Sequence, residues 1–115
     1  NQRAFEESEL AYLEKIRHNA SHLNQLALLY VEWFSGQIEL IKAELWVRAA
    51  IELDSRQPDY LATLGFVQFK RGEFELARET AKQSIALAKK LGLDPDPGEK
   101  LMFEIETQSG RAGTN

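Results

Sequence analysis

Two histidines have the spacing that comes nearest to a metal site. His18 and His22 are four positions apart, which places two imidazoles on one face of a helix. The segment Asn19-Ala20-Ser21 between them favours a helix break, and no third ligand accompanies the pair. The same segment matches the glycosylation acceptor pattern, which is short enough to arise by chance. We therefore predict no metal and no cofactor.

Paired carboxylates are the next candidates for chemistry, since two acids can serve as general acid and base. Glu6-Glu7 and Glu104/Glu106 lie among other charged residues, which is typical of a solvated helix face. The chain has no cysteine, and it contains no glycine-rich phosphate loop, serine elbow or catalytic histidine arrangement. The sequence therefore predicts that the protein is not an enzyme.

Net charge and hydropathy exclude further classes. The 115 residues include 14 basic and 18 acidic side chains, for a formal net charge of −4. Sequence-independent nucleic-acid binding and attraction to anionic membranes both need a basic face, so we expect neither partner. No run of about 18 apolar residues occurs, and we predict no direct membrane insertion. We expect a cytoplasmic protein, with the periplasm or the soluble part of a membrane-attached protein as alternatives.

The elements that carry these residues are helices. Apolar residues recur at helical spacing, no stretch alternates as a strand does, and prolines and glycines divide the pattern. Ser21 is the predicted N-cap of the second helix, and Gly36 marks its end. The predicted helices cover residues 3–18, 22–35, 37–54, 58–71, 74–91 and 98–108. They form one domain over 1–108, and 109–115 is predicted to be a flexible tail.

The helices repeat. A shift of about 34 residues aligns the third helix with the fifth. The aligned pairs are Leu40/Phe74, Ala43/Ala77, Ile51/Ile85 and Leu53/Leu87. The preceding helices align at a longer offset, which matches Ala27 with Gly65 and Tyr30 with Gln68. The unequal offsets predict extra residues in the turn around Ser35-Gly36.

The second unit contains a recognisable motif. Leu61-x-x-Leu64-Gly65 followed by Gly72-Glu73-Phe74-x-x-Ala77 resembles the signature of the tetratricopeptide repeat (TPR) family, although the usual leading tryptophan is absent. The resemblance implies that the two helices of this hairpin approach most closely at Gly65. It also implies an all-α, right-handed helical-hairpin solenoid. Its parts would be a capping helix at 1–20, repeats at 21–55 and 58–91, and a capping helix at 97–108.

The resemblance also implies a binding surface. In TPR proteins the first helix of each hairpin lines a concave groove that holds a peptide or helix of the partner. Here both such helices carry a second stripe of residues beside the one that faces the paired helix. The predicted partner-binding groove consists of Asn24, Leu28, Val31, Ala62, Phe66 and Phe69. An alternative turns Phe69 inward, in place of the aromatic missing at Gln68, and packs Leu28 on a neighbouring repeat.

The function that the resemblance implies is protein–protein interaction, as a scaffold, adaptor or assembly chaperone that binds a peptide or amphipathic helix. The expected partner is another protein, such as a component of secretion, pilus or envelope-assembly machinery. One TPR subclass grips acidic chaperone tails with lysine, asparagine and arginine, and the cationic part of that set is missing here. The alternative is a structural spacer or self-associating segment of a longer solenoid, with a homo-oligomer left open.

Overall fold

The computed structural model describes residues 2–113, with the side chains of residues 3, 4 and 6–108. Six helices follow one another along the chain: α1 (Gln2–Ile16), α2 (Ala20–Trp33), α3 (Gln37–Leu53), α4 (Pro58–Lys70), α5 (Phe74–Leu91) and α6 (Asp96–Gly113). These residues contain no strand, which confirms the predicted all-α class.

The last helix is longer than predicted. α6 continues to Gly113 and so includes residues 109–113 of the predicted flexible tail, while residues 114 and 115 lie outside the described part. No proline interrupts this segment, and Gly110 is a weak helix former that costs about 1 kcal/mol without ending a helix.

The break between the two histidines is a helix start. α2 begins at Ala20, and its N-cap is Asn19, whose side-chain oxygen accepts a hydrogen bond from the backbone N–H of His22 at 3.0 Å. Ser21, the predicted N-cap, lies in the first turn instead. Asparagine and serine cap helices about equally well, so their types alone did not distinguish the two positions.

The helices pack mainly on their neighbours in the chain. α2 with α3 and α4 with α5 form the most extensive contacts, and a three-residue turn joins each pair. α2 also packs on α4, and α4 on α6, so these three helices lie side by side. The Cα atoms extend over 46 × 38 × 16 Å. Since packed helix axes are about 8–10 Å apart, this shape is a slab two helices thick.

Two hydrophobic clusters hold the slab together. The larger one joins Ile16 of α1 to α2, α3 and α4, and fully buried Ala27 and Ala43 let α2 and α3 approach closely. The smaller one joins α5 and α6 through residues that include Ala77 and Ile105, both 0% exposed. Phe66 on α4 packs against both clusters and so connects them.

Gly65 lies where α5 and α6 both approach α4. A Cβ atom at this position would be 3.5 Å from the carbonyl oxygen of Ala77 and from Cγ2 of Thr80, which is ordinary contact with the paired helix α5. The same atom would be 2.5 Å from Cδ2 of Leu101 on α6. The contact with α5 involves its backbone, as expected where the two helices of a hairpin approach closely, and the contact with α6 involves the end of a leucine side chain. That α4 and α5 approach most closely at Gly65 stays a prediction.

The two repeats align at unequal offsets because α3 is longer at its start than α5. The turns 34–36 and 71–73 have the same length, so the prediction of extra residues around Ser35-Gly36 is wrong. α3 begins six residues before Ala43, whereas α5 begins three residues before Ala77. Since an α-helix has about 3.6 residues per turn, the extra residues add roughly one turn to the start of α3.

Two partly buried carboxylates connect neighbouring elements. Glu9 on α1 accepts hydrogen bonds from the Tyr30 hydroxyl at 2.7 Å and from Lys42 Nζ at 3.0 Å. Burial alone would raise the pKa of Glu9, but these hydrogen bonds outweigh it and lower the pKa below the ordinary value. Glu44 on α3 pairs in the same way with Arg71, at 2.6 Å, and thereby holds the turn between α4 and α5.

Candidate functional site

The side-by-side packing of α2, α4 and α6 leaves a concavity of about 320 Å³ on one face of the slab. We call this concavity the groove. Apolar side chains from all three helices contribute to its lining, and charged side chains stand among them. The lining residues are Asn24, Leu28 and Glu32 of α2, Asp59, Ala62, Thr63 and Phe66 of α4, and Pro97, Lys100, Leu101 and Glu104 of α6.

Four of the six predicted groove residues lie in this lining: Asn24, Leu28, Ala62 and Phe66. Leu28 is 36% exposed, and it is the most accessible apolar side chain of the four. Phe66 is half-buried, because part of its ring packs on the two core clusters. Its ring also lies 5.4 Å from Lys70 Nζ, a distance at which a cation interacts with an aromatic face.

The other two predicted residues, Val31 and Phe69, do not line the groove. Val31 is 1% exposed and belongs to the core. It lies one turn after Ala27, which is wholly buried, and so continues the stripe of α2 that faces α3. Phe69 turns toward α5, with its ring centroid 5.6 Å from that of Phe74, and packs on the α5–α6 cluster. Phe69 therefore follows the alternative stated in the sequence analysis, in which its side chain turns inward.

The residue before Phe69, Gln68, has a buried side-chain amide. Gln68 is 2% exposed, and its Oε1 atom has no hydrogen-bond partner within the described residues. In the TPR resemblance an aromatic would occupy this position, and a polar side chain there leaves apolar volume to be filled. Phe69 supplies an aromatic ring at the neighbouring position.

Sequence reasoning predicted α6 but missed its part in the groove. Pro97, Leu101 and Glu104 follow the i, i+4, i+7 spacing of one helix face, and together with Lys100 they form a wall of the groove. That spacing is visible in the sequence. The TPR resemblance gives residues 97–108 only a capping role, and so it does not point to their face as a binding surface.

A second concavity, of about 450 Å³, adjoins the groove along α6. It is lined by Asp96, Glu99, Lys100, Phe103 and Glu104, so two of its residues also line the groove. Phe103 is 69% exposed and adds a large apolar side chain to this side. We call the second concavity the ledge.

Another exposed apolar surface lies on the outer face of α3. Ile38, Ile41 and Leu45 recur at i, i+3 and i+7 and are 70%, 44% and 62% exposed. We call them the α3 outer stripe. At the aligned positions of α5, Glu75 and Glu79 replace Ile41 and Leu45. The two equivalent helices therefore present different chemistry to the outside, apolar on α3 and charged on α5.

Neither a metal cluster nor a membrane span occurs among the residues that the structure describes. Within this part of the chain, no three His, Cys, Asp or Glu side chains are grouped so as to hold a metal ion. None of the helices described here combines the length and the apolar composition that crossing a bilayer requires.

Comparison with known proteins finds no matching family profile, no matching curated protein and no matching solved structure. The TPR resemblance stays a prediction, based on residues such as Leu64, Gly65 and Ala77. The function of the chain is therefore inferred from the groove.

Proposed function

We propose that this protein is a TPR-like interaction module that binds a segment of another polypeptide in the groove. The observation that carries the proposal is the meeting of Leu28, Ala62 and Phe66 with Leu101 of a third helix at one concave surface. Single exposed apolar residues are ordinary on protein surfaces. A concave apolar cluster built by three helices is typical of an interaction site.

The size of the groove favours a polypeptide over a small substrate. A volume of about 320 Å³ is near the lower end of the range, about 300–1,000 Å³, for pockets that enclose a small molecule. A helix or peptide needs only room for its anchoring side chains, because the rest of the segment lies along the surface. Components of secretion, pilus or envelope-assembly machinery are the partners that the TPR resemblance suggests.

A matched pair of leucine substitutions tests the proposal. Leu28→Asn changes the groove, and Leu76→Asn changes α5 away from it, where the leucine is 47% exposed. Peptides selected from a random display library on the wild-type protein serve as ligands, and isothermal titration gives Kd for each variant. We expect Leu28→Asn to weaken binding at least tenfold, about 1.4 kcal/mol, and Leu76→Asn to leave it unchanged.

Two results would contradict the proposal. One is equal binding of the selected peptides to wild type and Leu28→Asn, with the thermal melts of both proteins unchanged. The other is a set of peptides whose chemical-shift changes fall outside α2, α4 and α6. The melt is needed because a destabilised variant would lose affinity for a reason unrelated to the groove.

The α3 outer stripe favours a second candidate function, self-association. Three apolar side chains lie on one face of α3, and the equivalent helix has glutamates at two of the three aligned positions. Such a face suits a helix that pairs with another copy. Sedimentation velocity at several concentrations tests this, with Leu45→Glu as the probe and Leu93→Glu, 47% exposed and outside the stripe, as the control. A wild-type protein that stays monomeric throughout would exclude it.

A further inference from the structure

Acidic side chains outnumber basic ones in the lining of the groove and the ledge. Five acidic side chains and one basic side chain line the groove and the ledge: Glu32, Asp59, Asp96, Glu99, Glu104 and Lys100. Without them, the chain's 18 acidic and 14 basic residues become 13 of each. The net charge of these six residues is −4, which equals the formal net charge of the whole chain.

The same five carboxylates are unpaired. None of them forms an ion pair with another described residue, and the same holds for exposed acidic residues elsewhere, such as Glu52 and Glu106. Lys100 and Glu104 are four positions apart on α6 and do not pair with each other. Unpaired like charges on one surface repel, and a cation bound among them removes that repulsion.

Apolar and acidic side chains alternate along the helices of the groove. Leu28 is one turn before Glu32 on α2, Phe66 is two turns after Asp59 on α4, and α6 contributes Glu104. A surface that combines apolar and acidic side chains complements a segment that carries apolar and cationic side chains.

We infer that the ligand of the groove is a basic amphipathic polypeptide segment. Its apolar side chains pack on Leu28 and Phe66, and its lysines or arginines lie against the carboxylates of Glu32, Asp59 and Glu104. The inference rests on the proposed function and specifies its partner. The negative potential of this face also steers a cationic segment toward it and repels acidic peptides.

Two synthetic peptides of equal length provide the test. Both carry leucines at helical spacing, and the remaining positions are lysine in one peptide and glutamate in the other. Their Kd values are measured by isothermal titration at low and high salt for wild type and two charge-matched triple variants. The groove variant is E32Q/D59N/E104Q, and the control is E14Q/E75Q/E79Q, whose side chains are 67%, 89% and 65% exposed on α1 and α5.

We expect the lysine peptide to bind wild type at least tenfold more tightly than the glutamate peptide. Its affinity should fall about tenfold in the groove variant, stay within about twofold in the control, and weaken with added salt. Equal loss in the two triple variants would overturn the inference, because binding would then follow total charge. Failure of wild type to bind the lysine peptide, or equal binding of both peptides, would also overturn it.

Leu28→Asn separates this inference from the proposed function. If both peptides bind equally and both are weakened by Leu28→Asn, the groove is a binding site and only its preference for basic segments is wrong. If either peptide binds and Leu28→Asn has no effect on it, the bound peptide does not use the groove, and the proposed function fails with the inference.

Discussion

Replacing Gly65 with alanine tests the contact that places α6 against α4. The new Cβ would be 2.5 Å from Cδ2 of Leu101, well inside the separation of about 3.5–4.0 Å at which carbon atoms attract. Leu101 is 4% exposed and packs in the α5–α6 cluster. It must therefore lose some of its packing to accommodate even one methyl group.

Two opposing terms set the size of the effect. Alanine in a helix interior is favoured over glycine by about 0.5–1 kcal/mol, while overpacking a core costs about 1–3 kcal/mol. Gly65→Ala should therefore lower the free energy of unfolding by about 1 kcal/mol. In a Leu101→Ala background the overlap is absent, and the same substitution should raise the free energy of unfolding by about 0.5–1 kcal/mol.

Urea denaturation followed by far-ultraviolet circular dichroism measures all four proteins of this double-mutant cycle. Leu101→Ala alone should cost about 2–5 kcal/mol, so the background must remain folded in the absence of urea. The expected coupling between the two positions is about 1–3 kcal/mol, with a reversal of sign. Additive effects would refute the reasoning, since they would mean that Leu101 does not pack over Gly65.

Three further predictions concern single residues. The pKa of Glu9 is lower in the folded protein than its ordinary value of 4.5. Glu9 therefore stabilises the fold above pH 4.5, and this stabilisation is lost as the pH falls through the folded-state pKa. Glu9→Gln should flatten this part of a plot of unfolding free energy against pH. Gln68→Leu removes a buried oxygen without a partner and should raise the free energy of unfolding by about 1 kcal/mol, and a lower value in urea denaturation would show that the amide is satisfied. Gly92 has φ of 70°, and a methyl group added there would meet nothing within 4 Å, so Gly92→Ala should cost about 1–2 kcal/mol from backbone strain alone, and Gly92→Asn should cost less in the same assay.

The helices could be predicted because their signals are local. Each of these signals involves residues within one or two helical turns of one another. They are the spacing of apolar residues, the breaks at proline and glycine, and the small residues Ala43 and Ala77. Asn19 and Ser21 show the limit of that reading. Both are good N-caps, and the choice between them depends on where Ile16 and Leu23 enter the core.

The site was only partly predictable. Helical spacing shows on which side of its own helix a residue lies, but not which residues of other helices lie beside it. Leu28 and Val31 lie on adjacent rows of α2, yet the first borders the groove and the second is buried. The wall formed by α6 depends on a contact across the fold, as does the gathering of Glu32, Asp59 and Glu104 on one face. Their types were plain in the sequence, but their proximity was not.

The order of helix contacts has a consequence for folding kinetics. Every extensive contact joins helices that are adjacent or next but one in the chain, so the loops that close during folding are short and the barrier is low. Chains with such local topology fold in microseconds to milliseconds. α1 makes the fewest contacts and is held by Ile16 in the core and by the hydrogen bonds of Glu9. It should therefore open first and exchange its amide hydrogens fastest, while α4, packed on four other helices, exchanges only on global unfolding.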